Sequence, residues 1–513
     1  MSPRLLLLIG GCLLASCSFA QDPKSILETY FPDPDTVFTT PAFAKKKGFT
    51  TSKSMLPFLD EWATAEQGWT RDTIGFSAKG VPILALEKGG EASPRPIRIL
   101  MLGGIHGDEP AGTEGLLAMI QQLGTGGPWE HLLQEVTLRV IPMVNPDGMN
   151  NLNRYAANGL DLNRDQSKLS NVEMIALKED FRAFDADVVI DFHEYRPYRA
   201  DYVEMGTFGV TSPFDVMFMY TGNLNVPEPL RQANVELLVN PAKAAMDQIG
   251  RRHANYFRPM IVRGVREFRS GGSSPRSSVT SFGLANSLSV LLEIRGVGLG
   301  RKGFPRRVQT AYELAHSFLA SCASSGEAIL DARKRALEDQ MPVVIDSERS
   351  EQRCEVELID LHEGRIRTFQ EKCSDSNAQI ATRSRSRPAG YVVLPEADAA
   401  IERLRILGLP GIELERPVTA NAEVYAFIED RLAPEPFEGL FERKVVAETH
   451  VESVSFPAGA MWYPATSPRF PLMFELVEPE AINGFVRFRV IDPAPGETYC
   501  VYRIPESESF PLP

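Results

Sequence analysis

Beyond its first twenty positions the chain has no stretch of 18 consecutive apolar residues, so no later segment predicts a transmembrane helix. Histidine is scarce, at 7 in 513 residues, which leaves few candidates for imidazole chemistry. Cysteine is scarcer, at 6, and none has the close spacing of a zinc knuckle. Excess basic charge is missing too: a net charge of -13 argues against a nucleic-acid groove or a generally basic membrane face. No fixed-period repeat or low-complexity tract occurs, which excludes a solenoid or a biased tail.

What is present reads as a soluble globular protein, 43% hydrophobic and 24% charged, long enough for about two to four domains. Arg4 followed by the apolar run from Leu5 to Ala15 reads as a secretory signal over residues 1–20, so an exported protein of the cell envelope or periplasm is expected. Leu14-Ala15-Ser16-Cys17 is similar to a bacterial lipobox, in which acyl chains on Cys17 would be the one attachment to a membrane. Ordinary cleavage after Ala20 is the alternative. Past the signal, Cys322, Cys354, Cys373 and Cys500 make two disulfides plausible, with Cys354 to Cys373 the easiest local closure.

Residues 21–50 are Pro-rich and read as an irregular lead-in or tether. Residues 51–340 alternate strand and helix signals. Helical spacing recurs over 54–67, 111–123 and 171–184, while Trp69–Phe76, Val81–Leu86, Ile97–Gly103, Val136–Val144, Val188–His193 and Leu288–Ile294 read as strands. That order predicts an α/β fold with an open sheet flanked by helices, whose functional groups gather beyond the carboxyl ends of the strands. The stretch 201–285 reads as a loop-rich excursion with a helix around Glu228 to Tyr256, and helices close the region over 307–326 and 328–340. From 341 to 513 the texture becomes a β-rich C-terminal module, with strands expected at Tyr391–Leu394, Glu423–Ile428 and Phe485–Val490.

Four motifs follow one another: GIHGDE at 104–109, DLNR at 161–164, DFHEY at 191–195 and LLEIRG at 291–296. A His with an acidic residue three positions on arises about once by chance at this composition, so His106 and Glu109 alone prove little. Their place at the end of an apolar strand, with glycines at 103, 104 and 107, directs attention to other strand ends for a third ligand, and His193 supplies it. Two nitrogens and one carboxylate leave a position open for water, as in a catalytic metal site. Glu293, late in its apolar strand, suits a general base; a plain ion pair with Arg295 or Arg266 is the bland reading.

The block from about Asp72 to Arg295 resembles the zinc metallocarboxypeptidases of the carboxypeptidase A type. The resemblance implies that His106, Glu109 and His193 hold one zinc ion and that Glu293 is the catalytic Glu. Through the run from Arg154 to Arg164 it implies that Arg154 stabilises the oxyanion. It further implies that Asn163 and Arg164 bind the substrate's terminal carboxylate and that Asp161 supports His106 from behind. The activity implied is hydrolysis of the C-terminal amide bond of a peptide or muropeptide that carries a free carboxylate. An N-acyl amino acid hydrolase of the aspartoacylase or succinylglutamate desuccinylase type shares the ligands and the Asn-Arg pair. A non-catalytic envelope binding protein on the same fold is a third reading.

One feature departs from the family. It supplies a mobile Tyr from a loop about twenty residues before the catalytic Glu, yet no Tyr occurs between Tyr256 and Tyr312. Either Tyr256 reaches in from farther away or the role is absent. In the stretch 273–286, where the specificity pocket is expected, Arg276 is the charge that would favour an acidic side chain.

Overall fold

Strands covered on both faces carry apolar residues at nearly every position, and such strands form the centre of this molecule, a computed structural model. It describes residues 24–90, 93–206, 208–262, 264–494 and 497–511. The signal-like segment and Cys17 lie outside the described residues. β1 (Thr70–Phe76) and β2 (Pro82–Gly89) are followed by β3 (Ile97–Gly103), β4 (Val136–Ile141) and β5 (Val188–Tyr195), the last buried throughout. Next come β6 (Val210–Thr211), β7 (Val216–Met219), β8 (His253–Asn255), β9 (Phe257–Val262), β10 (Val265–Ser270) and β11 (Leu288–Arg295).

Eight of these strands form one mixed sheet in the order β1-β2-β4-β3-β5-β11-β7-β8. Its middle, β4-β3-β5-β11, is parallel, and antiparallel joins add β2 and β7. Helices Pro110–Gln122, Val172–Phe184 and Phe304–Ser324 bury apolar faces on it. The α/β sheet expected from the sequence is therefore the observed one. The excursion differs: helical structure runs from Glu228 to Gln248 through a π turn at Asn234–Val239, and the residues up to Tyr256 include β8 instead.

The β-rich texture after 341 begins with a long hairpin, β12 (Val343–Asp360) and β13 (Arg365–Arg385). This hairpin joins a second sheet, β6-β12-β13-β10-β9, so it shares hydrogen bonds with strands of the preceding region. A disulfide ties Cys354 to Cys373 within it. Cys322 and Cys500 are buried free thiols, so the second expected bridge does not form. A third sheet contains β14 (Pro388–Val393), β15 (Ile412–Glu413), β16 (Val418–Leu432), β17 (Arg443–Phe456), β18 (Met461–Pro464) and β19 (Val501–Pro505). Phe485–Val490 is a set of turns, not a strand: Phe485 and Val486 are buried there without extended pairing, and a short apolar run cannot reveal which kind of burial it serves.

Residues 24–50 are not a free tether. Ile26 and Phe31 pack on Ile359, while Phe38, Ala42 and Phe49 pack on Phe304 and Val308. Aromatic anchors, rather than the proline content, decide the conformation of this segment.

Candidate active site

His106 lies three residues past the end of β3, in the turn that leads into helix Pro110–Gln122. Gly104 takes a left-handed φ of 64° there, and a Cβ on Gly107 would run into the Gly148 backbone, so both positions require glycine. Glu109 precedes Pro110, the first residue of the helix. His193 sits on β5 as the register partner of Glu293 on β11. Three adjacent strand ends thus deliver four side chains to one place, at the carboxyl side of the parallel strands.

The ligand atoms of His106, Glu109 and His193 all lie within 4.8 Å of one another, and all three residues are buried. His193 Nδ1 is 2.9 Å from His106 Nδ1 and 2.8 Å from Glu109 Oε2, while His106 Nδ1 is 2.8 Å from Glu109 Oε1. Both imidazoles turn the other nitrogen to a carboxylate: His106 Nε2 is 3.0 Å from Asp161 Oδ1 and His193 Nε2 is 2.8 Å from Asp191 Oδ2. Such a backing carboxylate fixes the tautomer and aims the free nitrogen inward, as in a carboxylate–histidine–zinc site. The donor set fits a zinc ion with an open coordination position.

Charge acts strongly within the cluster. Burial alone disfavours ionisation of Glu109, but His106 and His193 outweigh it and hold the carboxyl well below its usual range. For His193 burial opposes protonation, yet Asp191 and Glu109 raise its pKa well above the ordinary value. Glu293 is pushed up to about 7, by burial and then by the Glu109 carboxylate, against the pull of His193, His106 and Arg154. Neither arginine of the bland reading pairs with it: Arg266 contacts Glu371 at 3.5 Å and the Arg295 guanidinium lies 4.0 Å over the Phe31 ring. A buried carboxyl so poised can take and return a proton near neutrality.

Arg154 donates from Nη1 to Glu109 Oε1 at 3.1 Å and from Nη2 to Asp161 Oδ2 at 2.9 Å, so it is held at the rim of the ligand cluster. Asp161 also caps the turn Leu162–Arg164 by accepting from Asn163 N at 2.8 Å. Asn163 Oδ1 accepts from Ser278 N at 2.8 Å, and the Ser278 hydroxyl donates to Asp191 Oδ2 at 2.5 Å. These contacts join His106, Glu109, His193, Arg154, Asp161 and Asn163; Glu293 stands opposite His193 in register, and Arg164 donates to the Asn163 carbonyl at 2.7 Å. Asp191 and Ser278 were not among the expected residues. Period-two alternation in DFHEY could have revealed Asp191, since it shares a face with His193. Nothing local to Ser278 marks it.

Tyr256 follows β8 directly, with its backbone N donating to Phe218 O at 2.8 Å. Its phenol is pushed up to about 12, by burial and then by Glu293, with Arg258, Arg199 and Arg164 pulling the other way. Its ring packs against Met219, Val279 and Leu291, the last on the strand that carries Glu293. The segment that would carry a mobile Tyr is instead the hairpin β9–β10, held in a sheet with β13.

Residues 55–195 match the family model described as zinc carboxypeptidase. A protein named carboxypeptidase 2 from Trichophyton tonsurans is 24% identical over 484 residues, covering 89% of this chain and 87% of the relative. Carboxypeptidase SOL1 from Arabidopsis thaliana is 31% identical over 137 residues, 25% of this chain and 27% of the relative. Among solved structures, a metallo-carboxypeptidase from Burkholderia cenocepacia aligns with a TM-score of 0.43 at 16% identity, covering 54% of this chain and 70% of that one. Residues 55–195 thus match a zinc carboxypeptidase domain, and proteins named carboxypeptidase are similar to the chain over most of its length.

Proposed function

We propose that the protein removes the C-terminal residue of peptides at a single-metal site formed by His106, Glu109 and His193. The observation that carries this reading is the register pairing of Glu293 with His193, which stands a poised carboxyl beside the ligand cluster. A zinc ion held there supplies Lewis-acid polarisation of the scissile carbonyl and a lowered pKa for water.

The chain's own residues do the rest. Asn163 and Arg164 receive the terminal carboxylate; the Arg164 guanidinium forms no ion pair with any described carboxylate and so is available for a bidentate contact. Arg154, fixed by Glu109 and Asp161, presents positive charge where the carbonyl oxygen becomes anionic. Glu293 takes the proton of the attacking water and returns it to the leaving amine. Tyr256, neutral at working pH, can donate a hydrogen bond to the bound peptide.

Mass spectrometry of a peptide and muropeptide panel tests the reading. Stepwise loss from carboxyl ends is expected, abolished by chelation and lowered ~10²-fold or more by Glu293→Gln. Cleavage confined to internal bonds, or equal products from both proteins, would overturn it. Acyl amino acids in the same panel test the acylase alternative. We further propose an exported, envelope-bound enzyme anchored through lipid on Cys17. Labelled palmitate should enter the intact protein and not Cys17→Ser; labelling of neither points to cleavage after Ala20.

A further inference from the structure

Arg276 lines a cavity of about 430 Å³ together with Ser274, Asn223, Asn225 and Phe437. It lies two residues before Ser278, whose backbone N holds Asn163 at 2.8 Å, so its backbone is tied to the clamp. Its guanidinium rests 4.6 Å from the ring centre of Phe437, from the loop joining β16 to β17. Among the described residues it forms no ion pair. Glu442 is occupied by Arg487 at 3.0 Å and Glu438 accepts from Asp161 N at 3.1 Å, so neither neighbouring acid closes on it. Burial, then repulsion from Arg164, lowers the Arg276 pKa to about 10, with Arg258 adding to the repulsion.

Arg276, Arg164 and Arg258 thus form no ion pair with a described carboxylate, in a chain whose net charge is -13. Partly buried like charges are unfavourable unless a ligand supplies the opposite charge. The terminal carboxylate of a substrate can neutralise Arg164, and it leaves Arg276 and Arg258 unanswered. The cavity wall also carries the Ser274 hydroxyl, buried and without a hydrogen-bond partner. A second carboxylate reaching this wall would accept from both the guanidinium and the hydroxyl.

We propose that the preferred substrates are peptides ending in an acidic residue, whose side-chain carboxylate is read by Arg276 with help from Ser274. This rests on the carboxypeptidase reading above and adds the substrate class. An apolar end leaves this guanidinium unpaired; of the carboxylates on the same wall, Glu442 and Glu478 are already paired with arginines, while Glu475 is held by the Asn223 and Asn225 amides, so a basic end is the competing specificity.

The test is kcat/KM of the zinc-loaded enzyme on matched peptides that differ only in the last residue: Glu, Gln, Leu or Lys. Glu should exceed Gln by on the order of tenfold or more, since the neutral isostere leaves the guanidinium unpaired. Arg276→Met should collapse that ratio, Arg276→Lys should restore part of it, and Arg276→Glu should shift preference toward Lys. If Arg276→Met does not fold, Ser274→Ala provides the second variant, with a smaller loss of the ratio expected. Equal rates on Glu and Gln peptides, or a ratio unchanged in the variants, would overturn the assignment while leaving carboxypeptidase activity standing. No C-terminal release from any peptide would remove both readings together.

Discussion

Glu438 holds Asp161 from 277 residues away: its carboxylate accepts a hydrogen bond from the Asp161 backbone N at 3.1 Å. Asp161 in turn supports His106, Arg154 and the Asn163 turn, so the loop between β16 and β17 braces the metal-binding and clamp residues at once. Glu438 adopts a left-handed φ of 49°, which a non-glycine residue holds only when its surroundings require it. Glu438→Ala should cost about 1 kcal/mol of this support, seen as a several-fold fall in kcat/KM with zinc content unchanged. Glu438→Gln keeps an acceptor and should recover most of the loss. Steady-state kinetics beside metal analysis decides; an alanine variant with unaltered kcat/KM would make the contact incidental to the site.

Asp191 is the comparable brace on the other histidine. Its Oδ2 accepts from His193 Nε2 at 2.8 Å and from the Ser278 hydroxyl at 2.5 Å, so it aims a metal ligand and steadies the clamp through Ser278 and Asn163. Asp191→Asn should weaken zinc binding by on the order of 10- to 100-fold, as loss of an outer carboxylate does in metal sites. Competition against a chromogenic chelator measures it. Unchanged affinity would mean that packing alone orients His193.

Local signals carried most of the site, for a physical reason. Apolar strands that end in polar turns announce themselves, so His106, His193 and Glu293 could each be placed at a strand end from the chain alone. The run from Arg154 to Arg164 carries no such periodicity and was picked out by its resemblance to the zinc metallocarboxypeptidases. What escaped were contacts joining distant segments: Ser278 to Asn163 and Glu438 to Asp161 have no periodicity that would betray them. The same limit applied to the fold. The parallel core followed from its hydrophobic runs, whereas the pairing of β10 with β13 depends on tertiary partnering of two half-polar strands.

The hairpin β12–β13 owes part of its order to the Cys354–Cys373 disulfide, which closes a loop of sequence separation 19. Closure of a loop that size restricts the unfolded chain enough to contribute about 3 kcal/mol in the chain-entropy account. The paired Cys354→Ser and Cys373→Ser substitutions should therefore lower the thermal midpoint by several degrees. Limited proteolysis should show the hairpin cut first, because β13 is the strand that holds β10. Identical midpoints and cleavage patterns would place its stability entirely in strand pairing.

A polar contact joins the helix Phe470–Val477 to the catalytic region. Glu475 accepts from Asn223 Nδ2 at 2.6 Å and Asn225 Nδ2 at 2.9 Å, with no cation paired to it among the described residues. Burial pushes its carboxyl above the ordinary value of 4.5, against those two amides. A carboxyl raised in the folded state stabilises the fold fully below its unfolded pKa, and that contribution is lost as pH rises through the folded value. Glu475→Gln keeps the acceptor and does not titrate. It should match the unmodified protein in acid below pH 4.5 and exceed it at neutral pH by on the order of 1 kcal/mol. The difference between the two denaturation midpoints, followed against pH, isolates this group because the other carboxyls titrate in both proteins. A difference that stays flat, or that favours the unmodified protein as pH rises, would mean the two amides fully compensate the buried charge.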